Sequence, residues 1–281
     1  MLSSAPAGPA PTSRDTLNTL PGWETWDCDE INLIWRHGNL RHPHDIFGAE
    51  QAHPAATSYI QRAFASLARR QNASVVLEKT CANSLRVPFI DRIFPAARYL
   101  YIVRDGRDVA LSAAKRWTAG IELKYLAKKL RYAPLADIPR YGARFISNRI
   151  HQARSAEGRQ AIWGPVLPGM AEMARTRPLI EVCAHQWAGC VDQADHAFAA
   201  MDAEKWLKIH YEDLVNTPGE TLEQVLAWYD PALDAGQLAP ALGHIRAQKP
   251  NPWAKHAETF TPEALAAMTE TLQRHGYEAA A

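Results

Sequence analysis

Residues 99–112 read YLYIVRDGRDVALS, and the fold turns on how this stretch is interpreted. Residues 98–103 (RYLYIV) are rich in aromatic and β-branched types and read as a strand, and residues 108–117 take up the spacing of a helix. Upstream, residues 74–77 (SVVL) read as a short buried strand, and residues 83–94 between the two strands carry helical spacing. Strand, helix, strand, helix in that order predicts an α/β fold: a parallel sheet clothed by helices, with right-handed crossovers. Open sheets of this kind bind ligands at the carboxyl ends of their strands. Arg104 sits at that edge, and Ser112 follows eight residues later in the next helix. A guanidinium supplies bidentate, charge-assisted hydrogen bonds and a hydroxyl adds a neutral donor, so the pair suits a phosphate monoester.

The remaining segments fit the same layering. Residues 55–70 place Ile60, Phe64 and Leu67 on one helical face, and residues 178–201 run as a long helix through Val182, Trp187 and Val191. Residues 206–211 (WLKIHY) read as a strand, and Thr217 and Pro218 open a helix over residues 219–228. Residues 249–253 hold two prolines and read as an ordered loop, before a last helix over residues 262–275 capped by Thr261. Residues 118–170 turn basic and irregular, with Lys124, Lys128, Arg131 and Arg140 among aromatic residues, and read as an insertion or lid that meets the acceptor.

Composition bounds the function. A chain of 281 residues at 47% hydrophobic content buries one core and predicts a single domain over residues 1–281. Lysine and arginine number 31 against 30 acids, so no global basic field draws the chain to nucleic acid or a membrane surface. Cys28, Cys81, Cys183 and Cys190 form no Cys-x-x-Cys pair, which argues for neither a zinc ribbon nor a disulfide framework and fits a reducing cytoplasm. No stretch reads as a leader or a transmembrane span. His37, His42 and His44 crowd together but match no zinc spacing, so no metal is expected.

An arginine that ends a strand, with a serine eight residues on, resembles the 3′-phosphate segment of the PAPS-dependent sulfotransferases. Residues 78–89 (EKTCANSLRVPF) resemble the Asp/Glu-Lys-x-Pro-x-Asn segment of bacterial members, with Cys81 where proline is commoner. Residues 210–214 (HYEDL) match the family's Tyr-Glu-Asp-Leu strand end, and residues 250–255 (PNPWAK) look like its nucleotide-covering tail. These segments stand in the family's order over about two thirds of the chain. The resemblance implies a P-loop NTPase-like parallel sheet flanked by helices, with PAPS (3′-phosphoadenylyl sulfate) as donor of a sulfuryl group to a hydroxyl or amine. It implies nucleotide binding by Arg104, Ser112, Trp253 and Lys255. It makes Glu30 the base, with Asp29 second, and sets Lys79 against the leaving phosphate oxygen.

The residues are compatible with those roles and with plainer ones. Residues 23–35 (WETWDCDEINLIW) set the acidic pair among tryptophans, where desolvation raises a carboxylate pKa toward the range a base needs. Glu30 otherwise reads as a solvated carboxylate or a helix cap. Lys79 follows a strand and reaches the ligand edge, or else pairs with Glu78; Arg104 otherwise makes an ion pair with Asp105 or Asp108. A non-catalytic protein that binds a nucleotide bisphosphate is a second reading. A P-loop kinase is a third, although no Gly-Lys-Ser/Thr loop occurs. The acceptor, whether carbohydrate, lipid or small molecule, is not legible, and the sequence leaves homo-oligomerisation open.

A fold of this type should begin with a buried strand and a phosphate loop of the form Gly-x-x-Arg-Ser-Gly-Thr. Residues 14–22 (RDTLNTLPG) resemble the helix after that loop, yet its place is held by residues 4–13, SAPAGPAPTS. GC-rich codons for residues 5–12, read one base out of frame, translate as Ala-Gly-Arg-Ser-Gly-Thr-Asn, and those for residues 2–4 permit Val-Val-Gly. The expectation is an aberrant start at residues 1–13 that lacks the cradle for the 5′-phosphosulfate and leaves the chain catalytically poor.

Overall fold

The computed structural model describes residues 13–119, 128, 131–154, 159–233, 235–238, 242, 245 and 252–278. The aberrant start over residues 1–12, with Lys124 and the first two residues of PNPWAK, lies outside them. In chain order the structure runs α1 (Ser13–Leu17), β1 (Trp23–Glu24), α2 (Asn32–Trp35), α3 (Pro54–Gln71), β2 (Val75–Val76), α4 (Val87–Ile93), β3 (Tyr99–Val103) and α5 (Gly106–Thr118). It continues through α6 (Ile138–Arg154), α7 (Met170–Thr176), α8 (Leu179–Ala199), β4 (Trp206–His210), α9 (Tyr211–Asn216), α10 (Pro218–Tyr229) and α11 (Pro262–Arg274). Among the described residues no helix is long and apolar enough to cross a membrane.

Local chemistry sets the helix ends. Pro54 opens α3 behind His53, whose ring accepts the Ala56 N–H at 3.4 Å, and Asn72 closes it in the left-handed region at φ 51°. Asp105 caps α5 by accepting the Arg107 N–H at 2.9 Å. Thr261 caps α11 as its sequence predicts, accepting the Ala264 N–H at 3.1 Å.

The strands corrected the expectation of one continuous sheet. Among the described residues there are two parallel two-stranded sheets, β1 with β2 and β3 with β4, in a mostly helical α/β molecule. β3 pairs β4 in register from Tyr99 against Trp206 to Val103 against His210. Alternation puts Leu100 and Ile102 on one face with Leu222, Val225 and Leu226 of α10, and Tyr101 and Val103 on the other with Ala194 and Phe198 of α8. α8 also packs on α5 and α11 through Trp117, Trp187, Val191, Met268 and Leu272.

Several boundaries moved. The helical spacing of residues 83–94 is interrupted at Arg86 (φ −141°, ψ 25°), so Cys81–Leu85 forms a 3₁₀ helix and α4 starts at Val87. Tyr211, expected to end a strand, opens α9 instead. The expected loop ends in a 3₁₀ helix, Pro252–Thr259. β1 escaped the sequence analysis because two residues carry no period-2 pattern; Trp23 and Glu24 become a strand only by pairing with Val75 and Val76.

Candidate functional site

Arg104 leaves β3 buried, 6% exposed, with its guanidinium over the Tyr211 ring at 4.5 Å from the centroid and 3.5 Å from Asp108 Oδ2. The ion-pair alternative is thus realised with Asp108, in a buried setting where it is screened less than on the surface. Ser112 stands one helical turn beyond Asp108 on the same face of α5 and is half-buried, so Arg104, Asp108 and Ser112 form one row. Burial raises the Asp108 pKa, and the Arg104 charge works against that rise.

The tail closes over this row. The Trp253 backbone N–H donates to the Asp108 carboxylate, and the Trp253 ring centroid lies 3.9 Å from the Arg107 guanidinium carbon. Arg107 is itself clamped to Asp105 through Nε at 2.9 Å and Nη2 at 2.7 Å. Trp253 therefore reaches the start of α5, with a cation beneath its ring. Lys255 is exposed and apart from these contacts. Beside the same edge, Glu212 Oε1 accepts the Asp105 N–H at 3.1 Å, and Tyr277 donates to Glu212 Oε2 at 2.8 Å. Arg107, Glu212 and Tyr277 were missed; only the Tyr-Glu-Asp-Leu motif pointed near them.

The second cluster follows β2. Glu78 and Lys79 diverge, as successive residues of an extended chain must. Glu78 accepts from Thr80 Oγ1 at 2.6 Å and from the Asn83 amide, so its carboxylate is taken up locally. Lys79, 6% exposed, turns toward Glu30 and Asp29. Burial disfavours its charge, but Cys81, Glu30 and Asp29 more than offset this and its pKa is raised. Glu30 Oε1 accepts the Cys81 N–H at 3.1 Å, while burial pushes the Cys81 thiol up to about 11. Asp29 is exposed and lies 3.6 Å from Arg14 Nη2. The structure thus sets Glu30 within electrostatic reach of Lys79 and links Arg104 to Trp253 through Asp108, with Ser112 one turn further along α5.

The histidines are bound into the fold. His37 Nδ1 lies 2.8 Å from Asp137 and its ring 4.0 Å from that of Tyr59, while His42 Nδ1 lies 3.0 Å from the His44 carbonyl. Nearby, Asp45 bridges two buried guanidiniums, Arg36 at 2.6 Å and Arg86 at 3.4 Å, with Phe47 about equally far from both.

The pattern of the Sulfotransferase family matches residues 1–162, more than half of the 281, and the chain belongs to that family. Membership implies PAPS as the general sulfuryl donor and sulfuryl transfer as the class of chemistry. No curated protein matches the chain in sequence. Among solved structures, the sulfotransferase domain from the curacin biosynthetic pathway is 14% identical, with a TM-score of 0.49 over 95% of this chain and 93% of that one.

Proposed function

We propose that this chain moves a sulfuryl group from PAPS to a hydroxyl or amine of a carbohydrate, lipid or small-molecule acceptor. Its sheet would be the P-loop NTPase-like sheet of one domain spanning residues 1–281, working in a reducing cytoplasm, with residues 118–170 facing the acceptor. The nearness of the Glu30 carboxylate to the buried Lys79 ammonium just after β2, where Cys81, Glu30 and Asp29 together raise the Lys79 pKa, carries this reading. It sets a carboxylate and an ammonium together where a strand ends, which is what an in-line transfer needs.

Glu30 accepts the acceptor's proton as its oxygen or nitrogen bonds to sulfur, and Lys79 meets the negative charge that grows on the phosphate oxygen as the S–O bond breaks. Arg104 and Ser112 hold the 3′-phosphate, for which Arg104 exchanges its contact with Asp108. Trp253 covers the nucleotide from the tail, with Lys255 at its exposed side. A non-catalytic nucleotide-bisphosphate-binding role is favoured by one observation: residues 4–13 (SAPAGPAPTS) hold no Gly-x-x-Arg-Ser-Gly-Thr loop.

Calorimetric titration of adenosine 3′,5′-bisphosphate into this chain and into Arg104→Ala tests the assignment. Binding weakened about 10- to 100-fold by the substitution is the expected result, the worth of hydrogen bonds to a charged group. Equal affinity of the two proteins, or no heat from either, counts against the donor site.

A further inference from the structure

Among the described residues, the large hydrophobic side chains that stand exposed fall in one stretch: Leu135 at 84%, Ile138 at 37%, Ile146 at 59% and Ile150 at 48%. Leu135 belongs to the 3₁₀ turn Leu135–Asp137 that leads into α6, and the three isoleucines belong to α6 itself. Ile138, Gly142, Ile146 and Ile150 follow one another at steps of four, which stacks them in a single row along the helix. The row is open at its glycine too, where an added Cβ would meet no described atom within 4 Å.

A different side of α6 holds the helix to the body, and it does so with polar groups. Asn148 donates to the Ile162 carbonyl at 3.4 Å and Gln152 to the Ala119 carbonyl at 3.5 Å, and Tyr141 on that side is half-buried. A helix on the surface of a globular protein ordinarily turns its apolar stripe inward and its polar face to water. Here the isoleucines point out and the amides point in. Single exposed apolar residues are commonplace, but a contiguous row of them marks a surface that meets a partner.

Charge identifies the partner. Residues 115–154 carry ten of the chain's 31 lysines and arginines and two of its 30 acids, so this stretch is cationic while the rest of the chain is net acidic. Arg131 and Arg140 of this stretch are exposed, and one of its two acids, Asp137, lies 2.8 Å from His37. A second copy of the chain would set the cationic stretch against itself, because a two-fold contact pairs a surface with its own image. A soluble polyanion would satisfy the cations and leave the aliphatic row in water. An anionic bilayer meets both, with headgroup phosphates for the guanidiniums and the acyl boundary for the isoleucines.

We infer that α6 is an interfacial helix that seats this protein on an anionic phospholipid surface, with the row from Ile138 to Ile150 in the acyl boundary and Arg140 among the phosphates. With 17 residues, α6 is about 25 Å long and lies in the plane of the surface.

The test is flotation of the full chain with two kinds of vesicle, phosphatidylcholine alone and phosphatidylcholine mixed equally with phosphatidylglycerol, at low and at high salt. The chain should bind the mixed vesicles about tenfold or more tightly than the neutral ones, and the margin should narrow as salt screens the cations. Ile146→Gln combined with Ile150→Gln keeps helix propensity and should weaken binding to the mixed vesicles about tenfold or more at either salt. Arg140→Glu should weaken it about fivefold at low salt and little at high salt. Binding to neither vesicle, or equally to both, overturns the inference, as does binding that the isoleucine substitutions leave unchanged. A dimer in light scattering that those substitutions dissociate, without vesicle binding, assigns the row to a second copy and overturns it as well. Should the double variant lose its fold by circular dichroism, Ile146→Ala takes its place, with binding about threefold weaker or more expected and unchanged binding overturning the inference. Vesicle binding is read without PAPS or acceptor, so its failure leaves the donor site standing and failure of the donor site leaves it standing.

Discussion

Glu78 and Lys79 are neighbours in sequence with opposite surroundings, and that divergence makes Glu30 testable. Glu30→Gln keeps an oxygen for the Cys81 N–H but cannot take a proton. Sulfuryl transfer should fall about 100-fold or more with adenosine 3′,5′-bisphosphate affinity unchanged, read by turnover and calorimetry on the same preparations. Asp45 tests structure rather than chemistry. Burial alone would raise its pKa, but Arg86 and Arg36 outweigh burial and hold it below the usual carboxylate value. Its folded pKa is depressed, so its stabilisation is present above an unfolded value of about 3.9 and is lost as pH falls below that. Urea midpoints should therefore drop between pH values on either side of about 4. Asp45→Asn should cost about 3–5 kcal/mol at neutral pH, because Arg36 and Arg86 lose the carboxylate between them, and should flatten that acid dependence.

Caps and close approaches decide the elements. Thr261 both caps α11 and donates to Glu181 Oε1 of α8 at 3.0 Å. Thr261→Ala should lower stability by about 1–2 kcal/mol by denaturant titration, and Thr261→Ser by much less. Gly106 is the first residue of α5, and a Cβ there would lie 2.4 Å from Trp187 Cε3 of α8. Gly106→Ala should cost about 1–3 kcal/mol. It should also weaken adenosine 3′,5′-bisphosphate, since moving the start of α5 moves Asp108 and Ser112 against Arg104. Unchanged affinity with normal stability would show that α5 need not sit so close. The helices were legible because apolar periodicity and capping residues are local: α3, α5, α8 and α11 fall within two residues of their expected ends. The interruption at Arg86 was not legible, because it follows from that side chain turning inward to Asn32 at 2.7 Å and Asp45 at 3.4 Å.

Among the described residues the strands form two parallel two-stranded sheets, with Lys79 shortly after β2 and Arg104 directly after β3. Backbone donors aimed at a developing anion are each worth about 100-fold or more in rate, so a chain restored in its phosphate loop should transfer at least that much faster than the present one. Equal turnover by the two forms, measured as PAPS consumption, would remove the loop from the mechanism.

The sequence by itself determined the strand–helix alternation, the places of Lys79 and Arg104 after strand ends, of Ser112 in the helix that follows and of Trp253 in the tail, the choice of Glu30 through the family resemblance, and that resemblance itself. Those features are written in local spacing and residue chemistry, which survive without knowledge of what packs where. Only the tertiary structure decided that Lys79 faces Glu30 rather than Glu78, that Arg104 rests on Asp108 and Tyr211, and that Trp253 rides on Arg107. It alone shows that Trp23 and Glu24 form a strand and that β2 and β3 stand apart across a cavity. Each of these joins residues distant in sequence or selects among neighbours by the packing around them, and that free energy exists only once the chain has folded.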